Sequence, residues 1–410
     1  MSAPIRFIHC ADLHLGSRFV GISTEDKELG KRMRSATFNA LDEIVNKAMH
    51  EAVDFIVFSG DIFDDGNETP YTRQRFADAL ARAGIPCYIV YGNHDYKRRW
   101  EESIPLPPNA YVFGSDVEKM FYPPKSINPQ VELVGISYHK KSVYDDLTRD
   151  IRGSPDIFSI GVLHCDVDGD DRSPYSPCSS SLMSGHNIDY WALGHKHNAQ
   201  IISKDPYIVY PGNTQGRNSR ETGEKGAFIV TVSGRKVIRT EFFETSQIIW
   251  KDVNVQIGTT TTVQQLIEEI KGKCKPGSFI NVSITGTGKL DSFLRTNAEP
   301  RRDGQIAHEE SFLAMVEAQT ECKCASLDIR TSPDIDFRLR SETGDFISAV
   351  IDYGLSLESA SREDLVEIIC KTPAINKSLR QYYDKMTSDE LRQTVDDAIK
   401  LIIAKMREVK

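Results

Sequence analysis

No stretch of the chain approaches the ~18 to 20 consecutive apolar residues that a helical membrane span needs, so the sequence offers no candidate for one. The opening MSAPIRFIHC has neither a basic segment nor a long apolar one and runs directly into a strand pattern. No secretory signal is read there, and a cytoplasmic protein is expected. Cysteine is present without a framework. The eight residues (10, 87, 165, 178, 274, 322, 324 and 370) are scattered, several inside apolar runs, as reduced buried thiols are. Only Cys322 and Cys324 stand close together, and CxC without a second pair is a weak zinc signal. Positive charge is also short: a formal net charge of -9 does not suit a protein that meets polyanions over its whole surface. Nucleic acid, if it binds, must be held by local patches. Internal repeats and low-complexity tracts are missing as well.

What is there is a soluble-type composition, 40% apolar and 27% charged, spread over 410 residues. That length exceeds one ordinary hydrophobic core and suggests two or three domains. Up to about residue 245, short runs rich in Val, Ile, Phe and Tyr (IRFIHC, DFIVFSG, PCYIVYG, FSIGVLHC, DYWALG, YIVYPG) read as strands. Between them, RMRSATFNALDEIVNKAMHEAV and TRQRFADALARAG have helical periodicity, the second closing on Gly84 as a C-cap. Buried strands alternating with helices imply a layered α/β domain over residues 1–248. The helix pattern TVQQLIEEIKGKC between the strand patterns IIWKDVNVQI and SFINVSITG marks a small α+β module over 249–335. TSPDIDFRLRSETGD is polar and supplies a linker at 336–346. Residues 347–410 read as helices broken at Pro373, and in LRQTVDDAIKLIIAKM the apolar residues 391, 395, 398, 399, 402, 403 and 406 form one stripe.

The six strand patterns share a habit: each ends in a turn followed at once by ionisable or amide side chains. Asp12 and His14 follow the first, Asp61 the second, and Asn93, His94 and Asp95 the third. His164, then His195 with His197, then Asn213 follow the other three. In open α/β sheets ligands bind beyond the carboxyl ends of the strands, so these groups are expected to converge. Imidazoles and carboxylates with a carboxamide, and no thiolate, suit borderline or hard divalent ions. The set is too large for one octahedral ion with open positions. It suffices for two ions sharing a carboxylate, the arrangement that clamps both oxygens of an in-line phosphoryl displacement.

At these residues the sequence resembles the calcineurin-like metallophosphoesterases, through ADLHLG (11–16), GDIFDDG (60–66), GNHD (92–95), LHCD (163–166) and GHKH (194–197). More narrowly, ADLHLG and GHKHNAQ followed by YPGNTQGRN resemble SbcD-type DNA repair exonuclease subunits, and PYSPCS with PGNTQGR the YhaO-like branch. The resemblance implies a four-layer-type metallophosphoesterase β-sandwich flanked by helices, with a small α+β capping domain and a C-terminal helical region. It implies one ion on Asp12, His14, Asp61 and His197, and a second on Asp61, Asn93, His164 and His195. Mn2+ is the expected metal, with Fe2+ or Mg2+ as alternatives. His94 would be the general acid, with Asp95 as the candidate carboxylate to orient it. The chain departs from relatives that carry a second histidine in GDLFH. Asp64 stands there and cannot donate to a phosphate when ionised, which leaves it to orient a histidine or an ion.

Duplex DNA needs cations along its phosphates. Lys97, Arg98 and Arg99 after GNHD, Lys140 and Lys141 after SYH, and Arg217 and Arg220 after YPGN are the substrate-binding candidates, with Tyr96 and Trp100 available to stack on a base. The resemblance further implies an ATPase partner of the SbcC or YhaN type received by the C-terminal helices, and a homodimer. The expected function is a metal-dependent DNA nuclease acting at ends as the catalytic half of an ATP-driven complex. A phosphoesterase for small or protein substrates, and a non-catalytic scaffold, are the alternatives.

Overall fold

The computed structural model describes residues 4–17, 19, 27–64, 68–97, 100–260, 262–297, 311–334, 346–357, 360–371, 380, 382–383 and 385–408. The chain divides into two compact units, Met1–Lys251 and Asp252–Lys410. The first holds two six-stranded sheets face to face. One has the order β14 (Lys236–Glu244), β13 (Gly226–Ser233), β1 (Ile5–Cys10), β2 (Phe55–Ser59), β3 (Cys87–Val90), β4 (Ala110–Val112). The other has the order β11 (Gln200–Lys204), β12 (Tyr207–Tyr210), β10 (Tyr190–Gly194), β7 (Phe158–His164), β6 (Val131–Gly135), β5 (Glu118–Tyr122). Strands β1 to β4 run parallel, as do β6, β7, β10 and β12, so their carboxyl ends lie on one edge of each sheet. A short parallel pair, β8 (Asp166–Val167) and β9 (Pro177–Cys178), follows β7.

Every residue of β2, β3, β7 and β10 is buried, because each strand packs on both faces. Phe7, Phe55, Val57, Tyr88 and Val90 meet Leu133, Ile160, Val162, Tyr190 and Val209 between the sheets. On the outer face of the first sheet, Ile8, Ile56, Phe58 and Ile89 pack under α1 (Lys27–His50) and α2 (Pro70–Ala83) through Leu41, Ile44, Val45, Phe76 and Leu80. Helix α2 starts where Thr69 accepts from the Thr72 N–H and Pro70 opens the first turn, and it stops at Gly84, whose φ of 66° is left-handed. The outer face of the second sheet is covered more thinly: Trp191, Leu193 and Ile208 lie under Ile151, Ile188 and Met183, the last in the four-residue α3 (Ser180–Met183). This is the layered sandwich expected from the sequence.

One buried strand escapes the pattern of apolar runs. Strand β6, VELVG, carries Glu132 at 1% exposure, where Lys119 Nζ (2.8 Å) and the Ser154 N–H (2.7 Å) satisfy its carboxylate. A charge in a five-residue run conceals a core strand unless its partners, both distant in sequence, are known.

The second unit has a three-stranded sheet in the order β15 (Trp250–Gln256), β16 (Phe279–Thr287), β17 (Lys323–Ser332), covered by α4 (Val263–Gly272), α5 (Asp291–Asn297) and α6 (Phe312–Thr320). Thr262 and Gln265 close α4 with a reciprocal capping box. The CxC thiols belong to this packing: Cys322 Sγ donates to the Lys275 carbonyl (3.2 Å) and Cys324 Sγ to the Ser326 carbonyl (3.3 Å). Helices α7 (Phe346–Ser356), α8 (Arg362–Cys370) and α9 (Ser388–Glu408) follow. The early part of the α9 stripe is used within the unit, since Leu391 and Val395 join Leu357, Leu365 and Val366 in one cluster. Further along, Ile402 is 47% exposed. Pro373 and residues 336–345 of the expected linker lie outside the described residues. Among the described residues no helix is long and apolar enough to cross a membrane.

His9, on the inner face of β1, is fully buried with Nδ1 3.0 Å from the Tyr190 hydroxyl, and burial lowers its pKa to about 3. Its folded value lies below that of an unfolded histidine, so unfolding takes up a proton as pH falls through ~6.5, and stability is lost in that direction. Urea titrations of the wild-type protein at pH 7 and pH 5 should show about 2 kcal/mol lost through this group. His9→Gln, which does not titrate, should remove that part of the slope; an unchanged slope would exclude His9 as its source.

Candidate metal centre

The loops after β1 and β2 run side by side. The Asp12 N–H donates to the Gly60 carbonyl (3.0 Å), the His14 N–H to Asp61 (3.0 Å) and the Leu15 N–H to Ile62 (2.9 Å). Four of the residues expected as ligands adopt positive φ: Asp12 (51°), His14 (44°), Asp61 (49°) and His195 (109°). Non-glycine residues are strained there, and the strain is sustained because neighbouring loops fix both sides of each turn. The third loop comes equally close. A Cβ on Gly92 would lie 2.2 Å from Asp61 Oδ1, so glycine is required where the GNHD turn passes.

Nitrogen and oxygen atoms of the candidate ligands lie close together. Asp61 Oδ2 lies 3.8 Å from His14 Nε2 on one side and 3.4 Å from His164 Nε2 on the other, so its carboxylate stands between the two imidazoles. His14 Nε2 faces His197 Nε2 at 3.3 Å, and His197 Nε2 is 4.0 Å from Asp12 Oδ1. His164 Nε2 faces Asn93 Oδ1 at 3.0 Å, while its Nδ1 is 3.1 Å from the Ser59 carbonyl. The His195 N–H donates to both Asp12 carboxylate oxygens at 3.1 Å, and its ring lies 5.4 Å from that of His164 and 4.5 Å from that of Tyr175. Three overlapping groups could each hold a cation: Asp12, His14 and His197; Asp12, Asp61 and His164; and His14, Asp64 and His94. The donors are nitrogen and oxygen only, a set that fits borderline or hard divalent metals.

The electrostatics agree with a place for positive charge. Burial raises the pKa of Asp12, and it opposes ionisation of Asp61, whose carboxyl His164 nevertheless holds well below the usual range. Burial works against the charged form of His164 as well, yet Asp61 and Asp12 push its pKa up to about 9. His14 falls to about 3 through burial and the Arg217 charge, and His195 to about 4 through burial and His164. These two imidazoles are therefore neutral near pH 7 and keep a lone pair for a metal.

The structure corrects the pairing expected for His94. Asp95 is buried and turned away from it: Asp95 Oδ2 accepts from the Ile62 and Gly92 N–H groups (both 3.0 Å) and Oδ1 from Phe63 (2.8 Å). Burial and the Asp61 charge push its pKa up to about 8, against those three donors. Successive residues of a tight turn point apart, so Asp95 braces the second loop. The carboxylate near the imidazole is Asp64, whose Oδ1 lies 3.7 Å from His94 Nδ1, 3.6 Å from His14 Nδ1 and 3.9 Å from Arg217 Nη1. The His94 N–H donates to Asp61 Oδ1 (2.9 Å), and its side chain is 31% exposed.

The substrate candidates separate. Lys97, over the Tyr96 ring at 5.3 Å, and Lys140, Lys141 and Arg220 are exposed. Arg98 and Arg99 lie outside the described residues. Arg217 is not a rim cation: it donates to Ser17 Oγ (3.1 Å) and Glu221 Oε1 (2.9 Å), with its side chain 14% exposed. The Trp100 indole N–H donates to the Glu68 carbonyl (3.2 Å), a packing role. Asn213 serves the site indirectly, donating to Glu221 Oε2 (3.0 Å). Sequence reasoning missed Glu221, which accepts from His197 Nδ1 (2.9 Å), and nothing in the spacing of NSRETGEKG marks it.

Two divalent ions per chain are expected, and elemental analysis of Asp61→Ala should find both lost; two ions retained would exclude Asp61 as a ligand shared between them. Asp95→Ala, leaving three N–H groups without an acceptor, should lower stability by about 2 to 4 kcal/mol in EDTA, measured by urea unfolding. His94→Ala should not.

The calcineurin-like phosphoesterase family matches residues 5–199 of the chain. A Bacillus subtilis protein described as the uncharacterized metallophosphoesterase YhaO is 33% identical over 357 residues, covering 80% of this chain and 85% of the relative. The DNA double-strand break repair protein Mre11 of Methanocaldococcus jannaschii is 26% identical over 290 residues, 66% of this chain and 74% of that one. The SbcD component of the nuclease SbcCD of Escherichia coli K12 is 25% identical over 279 residues, 58% of this chain and 67% of that component. With the paired sheets and the ligand atoms gathered at their carboxyl edges, these similarities establish that the chain belongs to the calcineurin-like metallophosphoesterases.

Proposed function

We propose that the chain is a dimetal-dependent DNA nuclease, hydrolysing phosphodiesters at DNA ends with exonuclease and some endonuclease activity, as the catalytic subunit of an SbcCD-like repair complex with an ATPase. The observation that carries this reading is the convergence of the ligand atoms around Asp61, with His94 held beside them and open to solvent. Similarity to the named nuclease and repair proteins runs over 279 and 290 residues, well beyond the matched phosphoesterase segment, and favours DNA over other phosphoesters.

In this reading Asp12, His14, Asp61 and His197 hold one ion, and Asp61, Asn93, His164 and His195 the other, with Mn2+ as the metal and Fe2+ or Mg2+ as alternatives. Such a pair supplies Lewis-acid polarisation of the phosphoryl group and a water activated for attack. His94 delivers a proton to the leaving oxygen, and Asp64 orients its ring. Lys97, Lys140, Lys141 and Arg220 meet phosphates further along the strand. The small α+β module is the capping domain, and the C-terminal helices bind the ATPase with the part of α9 beyond Val395. A cytoplasmic homodimer completes the picture, and the free thiols Cys10, Cys87 and Cys165 suit a reducing compartment.

The formal net charge of -9 favours a second reading, a phosphoesterase for small or protein substrates on the same centre. Purified protein with Mn2+ should be offered labelled duplex DNA, single-stranded DNA and a small aryl phosphate diester, with and without a co-purifying ATPase and ATP. Cleavage of DNA is expected; turnover of the small ester alone would sink the nuclease reading. His94→Ala should keep both ions and lose about 10² to 10⁴ in rate, the scale of general acid catalysis. A wild-type rate in that variant would remove His94 from the mechanism.

A further inference from the structure

We propose that Glu221 is the positioning residue for His197: it fixes the tautomer and direction of that imidazole and so sets the affinity of one metal site. The proposal rests on the reading of His197 as a ligand. His197 is the most loosely enclosed of the ion-paired ligand side chains, at 31% exposure against 0 to 3% for Asp12, His14, Asp61 and His164. An imidazole partly open to water needs an anchor to keep one nitrogen on a metal. Glu221 Oε1 lies 2.9 Å from His197 Nδ1. An ionised carboxylate only accepts, so Nδ1 carries the proton and Nε2 keeps its lone pair. That Nε2 faces His14 Nε2 at 3.3 Å and Asp12 Oδ1 at 4.0 Å, inside the candidate ligand cluster.

The anchor is itself held on every side. Oε1 also accepts from Arg217 Nη2 (2.9 Å), and Oε2 from the Arg217 backbone N–H (2.7 Å) and Asn213 Nδ2 (3.0 Å). Its side chain is 10% exposed. Arg217 balances the charge and reaches Asp64 Oδ1 at 3.9 Å, so one loop, PGNTQGRNSRE, touches both His197 and the carboxylate beside His14 and His94. A glutamate needed merely to close this loop would be satisfied by Arg217 and Asn213. The bond to His197 is the additional one, and it has a direction that a metal site can use.

The test is Mn2+ titration of the full chain, followed calorimetrically and by the paramagnetic signal of free Mn2+, for wild type, Glu221→Gln, His197→Ala and the double variant. Glu221→Gln keeps the length of the side chain and removes its charge. It should weaken one of two Mn2+ sites about 10- to 100-fold, the usual effect of losing such a partner. In the His197→Ala background it should change nothing more. Nitrogen-15 spectra of histidine-labelled protein in EDTA should show His197 with its proton on Nδ1 in wild type, and a tautomer mixture in the variant. Glu221→Asp, which keeps the charge and the pairing with Arg217, is the check against misfolding: it should retain the wild-type unfolding midpoint and give an intermediate affinity. Wild-type affinity at both sites in Glu221→Gln and Glu221→Asp, or equal losses with and without His197, would overturn the proposal. None of these readouts uses DNA, so a protein that binds two ions but cleaves no DNA refutes the nuclease reading and leaves this one standing. A wild-type protein that binds no Mn2+ refutes both.

Discussion

Two carboxylates withdrawn from water at the meeting point of three loops are the constraint on which the site depends. Asp12 and Asp61 are almost fully buried, and the groups that face them are mostly imidazoles. Burying a carboxylate costs several kcal/mol unless positive charge or hydrogen bonds offset it. One proton on His164 answers part of that need, and a pair of divalent cations would answer all of it. The strained backbone at Asp12, His14, Asp61 and His195 follows from the same demand, since their side chains must turn inward from the ends of different strands.

The parallel sheets make this meeting possible. Strands β1, β2 and β3 run parallel in one sheet, β7, β10 and β12 in the other, and each delivers a polar turn to the same edge. Around the candidate ligands stand three further carboxylates that contact their side chains or loops. Asp95 braces the loop of Asp61 through the Ile62 and Phe63 N–H groups, Asp64 lies between His14, His94 and Arg217, and Glu221 ties His197 to the loop after β12.

Strands β1, β2, β3, β7, β10 and β12 could be read from short apolar runs, because a strand packed on both faces has little room for polar residues. Strand β6 could not, because Glu132 interrupts it and is satisfied by Lys119, Ser154 and Ser159, whose positions only the fold supplies. The α9 stripe was legible as amphipathic, but not which surface it covers, since the sequence does not say that Leu391 and Val395 meet Leu357 and Leu365. Arg217 read as one more loop cation; its pairing with Glu221 lies within one loop, and its approach to Asp64 appears only when loops more than 150 residues apart in sequence are brought together.

The sequence by itself determined which side chains arrive at the site and in what order. The candidate ligands lie at the carboxyl end of a strand or within four residues of it, and the edge of a parallel sheet gathers such turns without further instruction. Only the tertiary structure decided which carboxylate serves which histidine. Asp95 follows His94 directly and points elsewhere, whereas Asp64 and Glu221 come from other loops and reach His94 and His197. Neighbours in a tight turn diverge, while residues from loops packed side by side can face one another, so adjacency in the chain was a poor guide to contact in space.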